Sequence, residues 1–324
     1  MTRLRLAIIG CGAIATAYRS ALERVPELRL VAVADPDRHA RDRLADGAPG
    51  VHTTASLAEL PDVDAALVLT PPNTHAELSI ALLRRGVHVL CEKPLAPDVT
   101  AAQRMLAAAR AAGRRLMMGS KFRYTPDVAQ AKKLLDAGAC GDVVIYENVF
   151  CSHVDMRERW NARAEVSGGG VLIDNGCHSV DLARFLLGPL ARVQVQFGRR
   201  VQPLEVEDTA RMLFQSHSQA LGSIDLSWSV HKETDAYVRL IGTDGTIEIG
   251  WRHSRYKTRQ TDWRTFGSGY DKLGAFTAQL DNFAAVVRGE QSPVIDDTDA
   301  LASVVVIDRA YRSAQDARWL EIPS

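Results

Sequence analysis

Short apolar runs alternate with amphipathic stretches along the first part of the chain. The runs LRLAIIG, LRLVAVAD, VDAALVLTPP, GVHVLCEKP and RRLMMGS predict strands, and the segments AIATAYRSALERV, THAELSIALLRR and DVTAAQRMLAAARAAG predict helices. The strands are apolar throughout, which is typical of a parallel sheet covered on both faces. The pattern therefore predicts a doubly wound α/β domain over residues 1–122.

From residue 123 onward, longer β-type runs follow one another with few helices between them. TDGT between YVRLIG and IEIGW is typical of a hairpin turn. Helices are indicated from SGGG through LARFLLG, and near the end in AFTAQLDNFAAVVRGE and ALASVVVIDRAYRSAQDA. We predict an α+β domain over residues 123–324, built on an open, mostly antiparallel sheet.

Length and charge fit two domains of a globular protein. The chain has 324 residues, and its 39 basic side chains balance its 39 acidic ones. Two domains are the expected number for this length. Because neither sign of charge dominates, nothing favours nucleic acid, a membrane surface or a strongly anionic partner.

The cysteines and the first residues bear on the compartment. Cys11, Cys91, Cys140, Cys151 and Cys177 are odd in number and contain no Cys-x-x-Cys pair, which argues against a disulfide framework and a structural zinc site. The start, MTRLRLAIIGCGAIATA, has features of a secretory signal, but two glycines interrupt its apolar run. We expect a cytoplasmic protein.

A glycine-rich loop follows the first predicted strand. Gly10, Gly12, Ala13 and Ile14 belong to a G-x-G-x-x-A sequence that opens a helix, the context that a dinucleotide-binding loop requires. The glycines let the backbone approach a pyrophosphate, and the helix N-terminus offers free N–H groups to it. The alternative is a glycine turn without a ligand.

Asp35 and Arg38, at and shortly after the end of the second predicted strand, affect the choice between NAD and NADP. Asp35 ends that strand, where a carboxylate accepts hydrogen bonds from the ribose hydroxyls and repels a 2′-phosphate. This favours NAD over NADP. Arg38 follows closely and suits adenine or a phosphate, which leaves NADP open.

Two further strand ends carry candidate residues. LTPPNTH, residues 69–75, overlaps Thr74-His75-Ala76-Glu77, which has the spacing of a capping box and predicts a helix start there. Glu92-Lys93-Pro94 ends the apolar run GVHVL. Because carboxyl ends of parallel strands line the binding crevice, both loops are candidates for the site. A rigid turn for the first and a solvated ion pair for the second are the alternatives.

Candidate proton-transfer and substrate groups lie in the second half. Asp174 and His178 are four residues apart on one predicted helix, with Asp181 three residues further, and an acid beside an imidazole suits proton transfer. A surface pair is the alternative, and no third residue completes a metal site. Lys121, Arg123, Tyr124 and Trp160 are substrate candidates, the cations for an anionic group and the rings for stacking.

Taken in order along the whole chain, these motifs resemble the Gfo/Idh/MocA oxidoreductase family. The resemblance implies an N-terminal Rossmann domain and a C-terminal substrate-binding and oligomerisation domain. It also implies that Lys93 lies beside the nicotinamide and the substrate hydroxyl, often with a cis bond before the proline, and that Asp174 and His178 reach the same pocket. The catalytic set is then Lys93, His178 and Asp174, with the proton acceptor left open between Lys93 and His178.

The resemblance extends to the cofactor, the reaction and the partners. The expected contacts of NAD, with NADP as the alternative, are Gly10, Gly12, Ala13, Ile14, Asp35, Arg38, Thr70, Pro71, Asn73, His75, Glu92 and Lys93. The expected reaction is hydride transfer between nicotinamide and a secondary alcohol or ketone of a sugar, cyclitol or nucleotide-sugar. We expect a homodimer or homotetramer. An NAD-dependent glycosidase that oxidises its substrate transiently and a non-catalytic dinucleotide-binding regulator are the alternatives.

Overall fold

A computed structural model describes residues 3–323. Its first sheet is parallel and, within that range, has six strands in the order β3-β2-β1-β4-β5-β6. The strands are β1 (Leu4–Ile9), β2 (Leu28–Ala34), β3 (His52–Thr54), β4 (Ala65–Val68), β5 (His88–Glu92) and β6 (Leu116–Gly119). The order reverses between β1 and β4, and in such sheets ligands bind beyond the carboxyl ends of the strands at this reversal.

Burial explains why these runs form strands of a doubly wound sheet. The residues of β4 are buried throughout, as are the last four of β1. Such continuous burial requires cover on both faces of the sheet. The predicted doubly wound fold is confirmed. β3 is absent from the sequence prediction, because this short edge strand is polar and mostly exposed.

Nine α-helices lie within the described residues. They are α1 (Ala13–Leu22), α2 (Arg38–Ala45), α3 (Pro72–Arg84), α4 (Val99–Ala112), α5 (Pro126–Asp136), α6 (Ala164–Ser167), α7 (Val171–Leu187), α8 (Lys272–Val287) and α9 (Asp297–Asp316). None of the helices in the range 3–323 combines the length and the apolar character that crossing a membrane requires.

The second sheet is mixed and mostly antiparallel. Its order is β14-β13-β12-β11-β7-β10-β9-β8-β15, and only β7 and β10 pair in parallel within the described range. The strands are β7 (Val143–Cys151), β8 (Leu190–Phe197), β9 (Thr209–Ser216), β10 (Leu221–Ser227), β11 (Ala236–Gly242), β12 (Gly245–Gly250), β13 (Ser254–Thr258), β14 (Arg264–Gly267) and β15 (Leu320–Glu321). The predicted hairpin at TDGT joins β11 to β12. The predicted open, mostly antiparallel sheet is confirmed.

Side chains alternate between the two faces of this sheet. Tyr146 and Phe150 of β7 and Phe214 of β9 are buried in one hydrophobic core with residues of α7. Neighbouring residues of the strands point to the opposite face, and Ile145 and Leu213 there are each 41% exposed. One face of the sheet therefore builds the core, and the other keeps exposed apolar side chains.

The chain forms two compact units. The first contains the residues up to Lys121 together with Lys272–Leu301, and the second contains Phe122–Asp271 and the residues from Ala302 onward. Helix α8 belongs to the first unit, where Phe276 packs against Tyr18 of α1 with 4.6 Å between ring centroids. The predicted division into residues 1–122 and 123–324 places this segment in the second domain. That division stays a proposal, and the structure adds the return of residues 272–301 to the first unit.

Candidate active site

The glycine-rich loop turns tightly between β1 and α1. Gly10 has a φ of +94°, a conformation that favours glycine. A Cβ at this position would lie 2.8 Å from the backbone carbon of Leu69 and 2.8 Å from the backbone nitrogen of Thr70. The loop after β1 and the loop after β4 are therefore in close contact, and only glycine fits between them.

The N-terminus of α1 has the features of an anion site. Gly12 is its N-cap, with no side-chain cap from any described residue, and Ala13 and Ile14 are its first residues. A Cβ built on Gly12 meets no described atom within 4 Å, so the loop leaves open space at this point. An uncapped helix N-terminus beside open space fits a pyrophosphate group.

Asp35 links the end of β2 to this loop. Its Oδ2 accepts a hydrogen bond from the backbone nitrogen of Cys11 at 2.7 Å, and its Oδ1 accepts one from Asp37 at 2.9 Å. A carboxylate has about four acceptor positions, so these two bonds leave capacity for ribose hydroxyls. The residues present therefore fit a dinucleotide of the NAD type.

Two arginines follow Asp35, and they differ in their surroundings. Arg38, the predicted contact, has a side chain that is 82% exposed, with its Nε 3.6 Å from Asp42. Arg41, which the sequence prediction missed, donates from Nη1 to the carbonyl oxygens of Asp35 and Pro36. Arg41 holds the loop, whereas Arg38 stays available to solvent. Helical spacing was the signal for Arg41, because it lies one turn after Arg38.

His75 joins the loop after β4 to the loop after β5. The side chain is 1% exposed, with Nδ1 2.9 Å from the carbonyl oxygen of Pro94 and Nε2 2.8 Å from that of Thr70. Burial lowers the pKa of His75 below its usual value, while the two carbonyl contacts oppose that shift. A neutral imidazole donates through one nitrogen only, so one of the two contacts is a hydrogen bond in that state.

The LTPPNTH loop places the start of α3 earlier than the sequence predicted. Pro71 is the N-cap and Pro72 the first helical residue, a position where proline is favoured because its missing N–H is not needed. The predicted capping box at Thr74 is therefore wrong. The Oγ1 of Thr74 instead donates to the Oγ1 of Thr70 at 2.7 Å and lies 2.8 Å from the carbonyl oxygen of Pro71. Asn73 lies in the first turn.

Glu92 and Lys93 stand at the carboxyl end of β5. The Oε2 of Glu92 accepts a hydrogen bond from the backbone nitrogen of Lys93 at 3.1 Å, and the Lys93–Pro94 peptide bond is cis. The Oε1 of Glu92 accepts one from the Tyr18 hydroxyl at 2.7 Å. Sequence reasoning missed Tyr18, because it lies inside α1, far along the chain from Glu92.

In the second unit, Asp174 and His178 both lie on α7. His178 is 6% exposed, and its ring packs edge-on against Phe122 with 5.0 Å between centroids. The start of this helix is fixed by Glu207, whose Oε1 accepts the backbone N–H groups of Gly170 and Leu172 at 3.0 and 3.1 Å. The predicted spacing on one helix is therefore present.

The substrate candidates fall into two groups. Arg123 and Asp181 form an ion pair at 2.7 Å with side chains 2% and 0% exposed, and Tyr124 is also buried. A buried guanidinium so paired is part of the interior, because removing its partner would leave an uncompensated charge. The prediction that Arg123 and Tyr124 bind substrate stays a prediction, and the structure adds that both side chains are buried. Lys121 is partly exposed, with its Nζ 5.9 Å from the ring centroid of Phe276, and Trp160 is 37% exposed.

Within the part of the chain that the structure describes, no cluster of three or more histidine, cysteine, aspartate or glutamate side chains has the arrangement of a metal site. The cofactor candidates of the first unit are connected by the contacts described above at the carboxyl edge of the parallel sheet. This edge therefore combines an uncapped helix N-terminus, the carboxylate of Asp35 and the lysine that follows β5, groups that fit a dinucleotide.

Two family descriptions match most of the chain. Residues 4–120 match the oxidoreductase family with an NAD-binding Rossmann fold, and residues 128–248 match the GFO/IDH/MocA C-terminal domain.

Characterised relatives are similar over most of their length. The chain is 30% identical to inositol 2-dehydrogenase 4 of Saccharopolyspora erythraea, over 76% of this chain and 73% of that one. It is 26% identical to the NAD⁺-dependent scyllo-inositol 2-dehydrogenase of Bacillus subtilis, over 94% and 92%.

Solved structures share the architecture. An oxidoreductase domain protein from Kribbella flavida superimposes with a TM-score of 0.91 at 26% identity, covering 100% of both chains. GenD2 from gentamicin A biosynthesis, solved in complex with NAD, gives a TM-score of 0.88 at 26% identity, covering 100% of this chain and 97% of that one.

Replacing His75 by glutamine tests the neutral buried imidazole. Because the folded-state pKa lies below the unfolded-state value of about 6.5, the unfolded chain takes up the proton first as pH falls. The stability that the neutral imidazole contributes is fully present above the unfolded-state pKa. It is lost as the pH falls through the window from that pKa to the folded-state pKa. We expect wild type to lose about 1.4 kcal/mol more than His75→Gln for each pH unit of that window, measured by urea unfolding.

The control is His52→Gln, which changes an exposed histidine of the same unit. This variant should keep the wild-type loss of stability in acid. Equal losses in wild type and His75→Gln would mean that the contacts with the carbonyls of Thr70 and Pro94 fully offset the effect of burial, so that the folded-state pKa of His75 is not lowered.

Proposed function

Because the chain belongs to the Gfo/Idh/MocA oxidoreductase family, we propose that it is an NAD-dependent dehydrogenase of a sugar, cyclitol or nucleotide-sugar. One observation carries this proposal: both halves of the chain match the family, and the chain contains the glycine loop, Asp35 and Lys93. The names of the relatives, which include inositol dehydrogenases, support a polyol as the substrate class.

Residues of the first unit would hold the cofactor. Gly10, Gly12 and the first turn of α1 suit the pyrophosphate, and Asp35 suits the adenosine ribose, which favours NAD over NADP. The proposed cofactor set also includes residues at the ends of β4 and β5, at the start of α3 and around the start of α1 and α2. They are Thr70, Pro71, Asn73, His75, Glu92, Lys93, Ala13, Ile14 and Arg38. When bound, NAD supplies the hydride acceptor, or the donor in the reverse direction.

Among the side chains of this protein, we assign the main catalytic role to Lys93. Its ammonium group can stabilise the negative charge that develops on the substrate oxygen as hydride leaves carbon. It can also take part in removing the hydroxyl proton, since lysine serves as a general base when its surroundings lower its affinity for protons. Its place at the carboxyl end of β5 supports this role, because such ends carry the ligand-binding loops.

The second unit supplies the other proposed proton-transfer groups. His178 lies on α7, where it is buried and packs against the ring of Phe122. Asp174 precedes it by one helical turn. The family pattern assigns both to the same reaction, His178 as an acceptor of the hydroxyl proton and Asp174 as an orienting or hydroxyl-binding group. Lys121, Arg123, Tyr124 and Trp160 are the proposed substrate contacts.

A panel of sugars and cyclitols, followed by the absorbance of reduced nicotinamide with NAD and NADP in parallel, tests the function. We expect net NADH formation with at least one polyol and a preference for NAD. Lys93→Ala should lower kcat by about 10²–10⁴-fold, the usual contribution of a proton-transfer group. Its Kd for NADH, measured by fluorescence, should stay within about threefold of wild type, since no phosphate or ribose contact is lost.

The matched control is Lys133→Ala, which removes an exposed lysine of α5 and should leave kcat unchanged. Near wild-type turnover in Lys93→Ala would refute the assignment of Lys93. NADH binding without net NADH formation, together with release of an aglycone from a glycoside, would replace the dehydrogenase by a glycosidase. NADH binding without any turnover would indicate a regulator.

We also propose that the protein is a homodimer, or a tetramer of such dimers, joined through the outer face of the second sheet. Ile145 of β7 and Leu221 of β10 are paired in register on that face and are 41% and 54% exposed, and Leu213 of β9 is 41% exposed. An apolar sheet face of this kind is stabilised by burial against a second copy.

Leu221→Glu tests this interface by placing a charge on the face. We expect the variant to elute as a monomer in size-exclusion chromatography with light scattering, while wild type has at least twice the mass of one chain. Val294→Glu changes an exposed apolar residue of the first unit and should keep the wild-type mass. A monomeric wild type contradicts the proposal.

For the compartment, we propose the cytoplasm. Cys11, Cys91, Cys140 and Cys151 are free thiols in the structure, and the first three are buried. Free thiols are typical of proteins kept in a reducing compartment.

A further inference from the structure

The Glu92 carboxylate is held from two directions at the end of β5. Its Oε1 accepts the hydroxyl hydrogen of Tyr18 at 2.7 Å, and its Oε2 accepts the backbone N–H of Lys93 at 3.1 Å. One carboxylate therefore connects the interior of α1 to the residue proposed for the chemistry. The orientation of Glu92 depends on what holds Tyr18.

Gln279 of α8 determines the direction of the Tyr18 hydrogen bond. The Nε2 of Gln279 lies 2.7 Å from the Tyr18 oxygen and donates to it. A tyrosine hydroxyl has a single hydrogen, so the Tyr18 hydrogen is left for Glu92. The bonds run in one direction, from Gln279 to Tyr18 to Glu92, and bonds in such a chain polarise and strengthen one another.

Both donors are held in a packed interior. Tyr18 and Gln279 are 0% exposed, and burial, followed by the charge of Glu92, raises the pKa of Tyr18 well above its usual value. Tyr18 therefore stays protonated and remains a donor at any working pH. Its ring is fixed against Phe276.

The surrounding space fits this arrangement closely. Gly119 of β6 is paired with Glu92 in the sheet. A Cβ on Gly119 would lie 2.9 Å from the Tyr18 hydroxyl oxygen and 3.4 Å from both Gln279 Nε2 and Glu92 Oε1. Only glycine leaves the hydroxyl where it reaches the carboxylate.

A buried glutamine at position 279 is not the residue that packing alone would favour. The Oε1 of Gln279 is buried and has no hydrogen-bond partner among the described residues. An unsatisfied buried amide oxygen destabilises the fold, and an apolar side chain of similar size at this position would avoid the cost. The donor group of Gln279 is therefore the property that the site uses.

We propose that Gln279 and Tyr18 are positioning residues, which orient the Glu92 carboxylate and, through it, the Lys93 segment at the cofactor edge. The inference rests on the proposed function of Lys93. It adds a residue from α8, which lies almost two hundred residues after Lys93 in the chain, to the machinery of the first unit.

Tyr18→Phe removes the hydroxyl and keeps the ring. We expect kcat to fall about tenfold and the Kd for NADH to rise about threefold, the range of one ordinary hydrogen bond, with the KM for the polyol little changed. Gln279→Met should act in the same direction with a smaller effect. The control is Tyr146→Phe: Tyr146 is also fully buried, but its hydroxyl has no hydrogen-bond partner among the described residues. Its kinetics should match wild type.

A double-mutant cycle with Glu92→Gln separates positioning from a general loss of stability. If Tyr18 acts through Glu92, Tyr18→Phe has little further effect on kcat or on NADH affinity in the Glu92→Gln background. Additive effects, or wild-type kcat and Kd in Tyr18→Phe, overturn the inference. A wild-type enzyme that turns over no polyol sinks the proposed function instead, and the cycle in NADH affinity then still decides the role of Tyr18.

Discussion

Side-chain hydrogen bonds between neighbouring loops hold the carboxyl edge of the parallel sheet in one arrangement, and the proposed chemistry depends on that constraint. Asp35 binds the backbone of the glycine loop, and His75 lies between the carbonyl oxygens of Thr70 and Pro94. Tyr18 binds Glu92 beside Lys93. Loops are usually the mobile parts of a domain, but here each is tied to a strand end or a helix, as a preorganised site requires.

In the second unit, buried carboxylates likewise hold the helix that carries the proposed catalytic residues. Glu207 accepts two backbone N–H groups at the start of α7, and Tyr311 donates to the same carboxylate oxygen at 2.8 Å. Further along α7, Asp181 pairs with Arg123. The helix that carries Asp174 and His178 is therefore fixed at both its first turn and its middle. Burial raises the pKa of Glu207, and its donors oppose that shift.

The sequence predicts those features that depend on local pattern. Continuous apolar runs identified the parallel strands, and a glycine loop followed by Asp35 identified the cofactor edge. The start of α3 was misplaced, because Thr74 and Glu77 have capping-box spacing while Pro72 already occupies the first helical position. The ion pair of Arg123 with Asp181 could not be predicted, because a cation after a strand end looks exposed until its partner is known. Tyr18 and Gln279 could not be predicted, since they meet only when α8 returns to the first unit.

If the enzyme oxidises a polyol by hydride transfer, a deuterium on the oxidised carbon must be transferred to the nicotinamide. The polyol that gives turnover would be supplied with deuterium at the oxidised carbon, and the cofactor recovered after one turnover and examined by proton NMR. We expect one deuterium at carbon 4 of the reduced nicotinamide. Unlabelled reduced cofactor, or deuterium released to water, would contradict it.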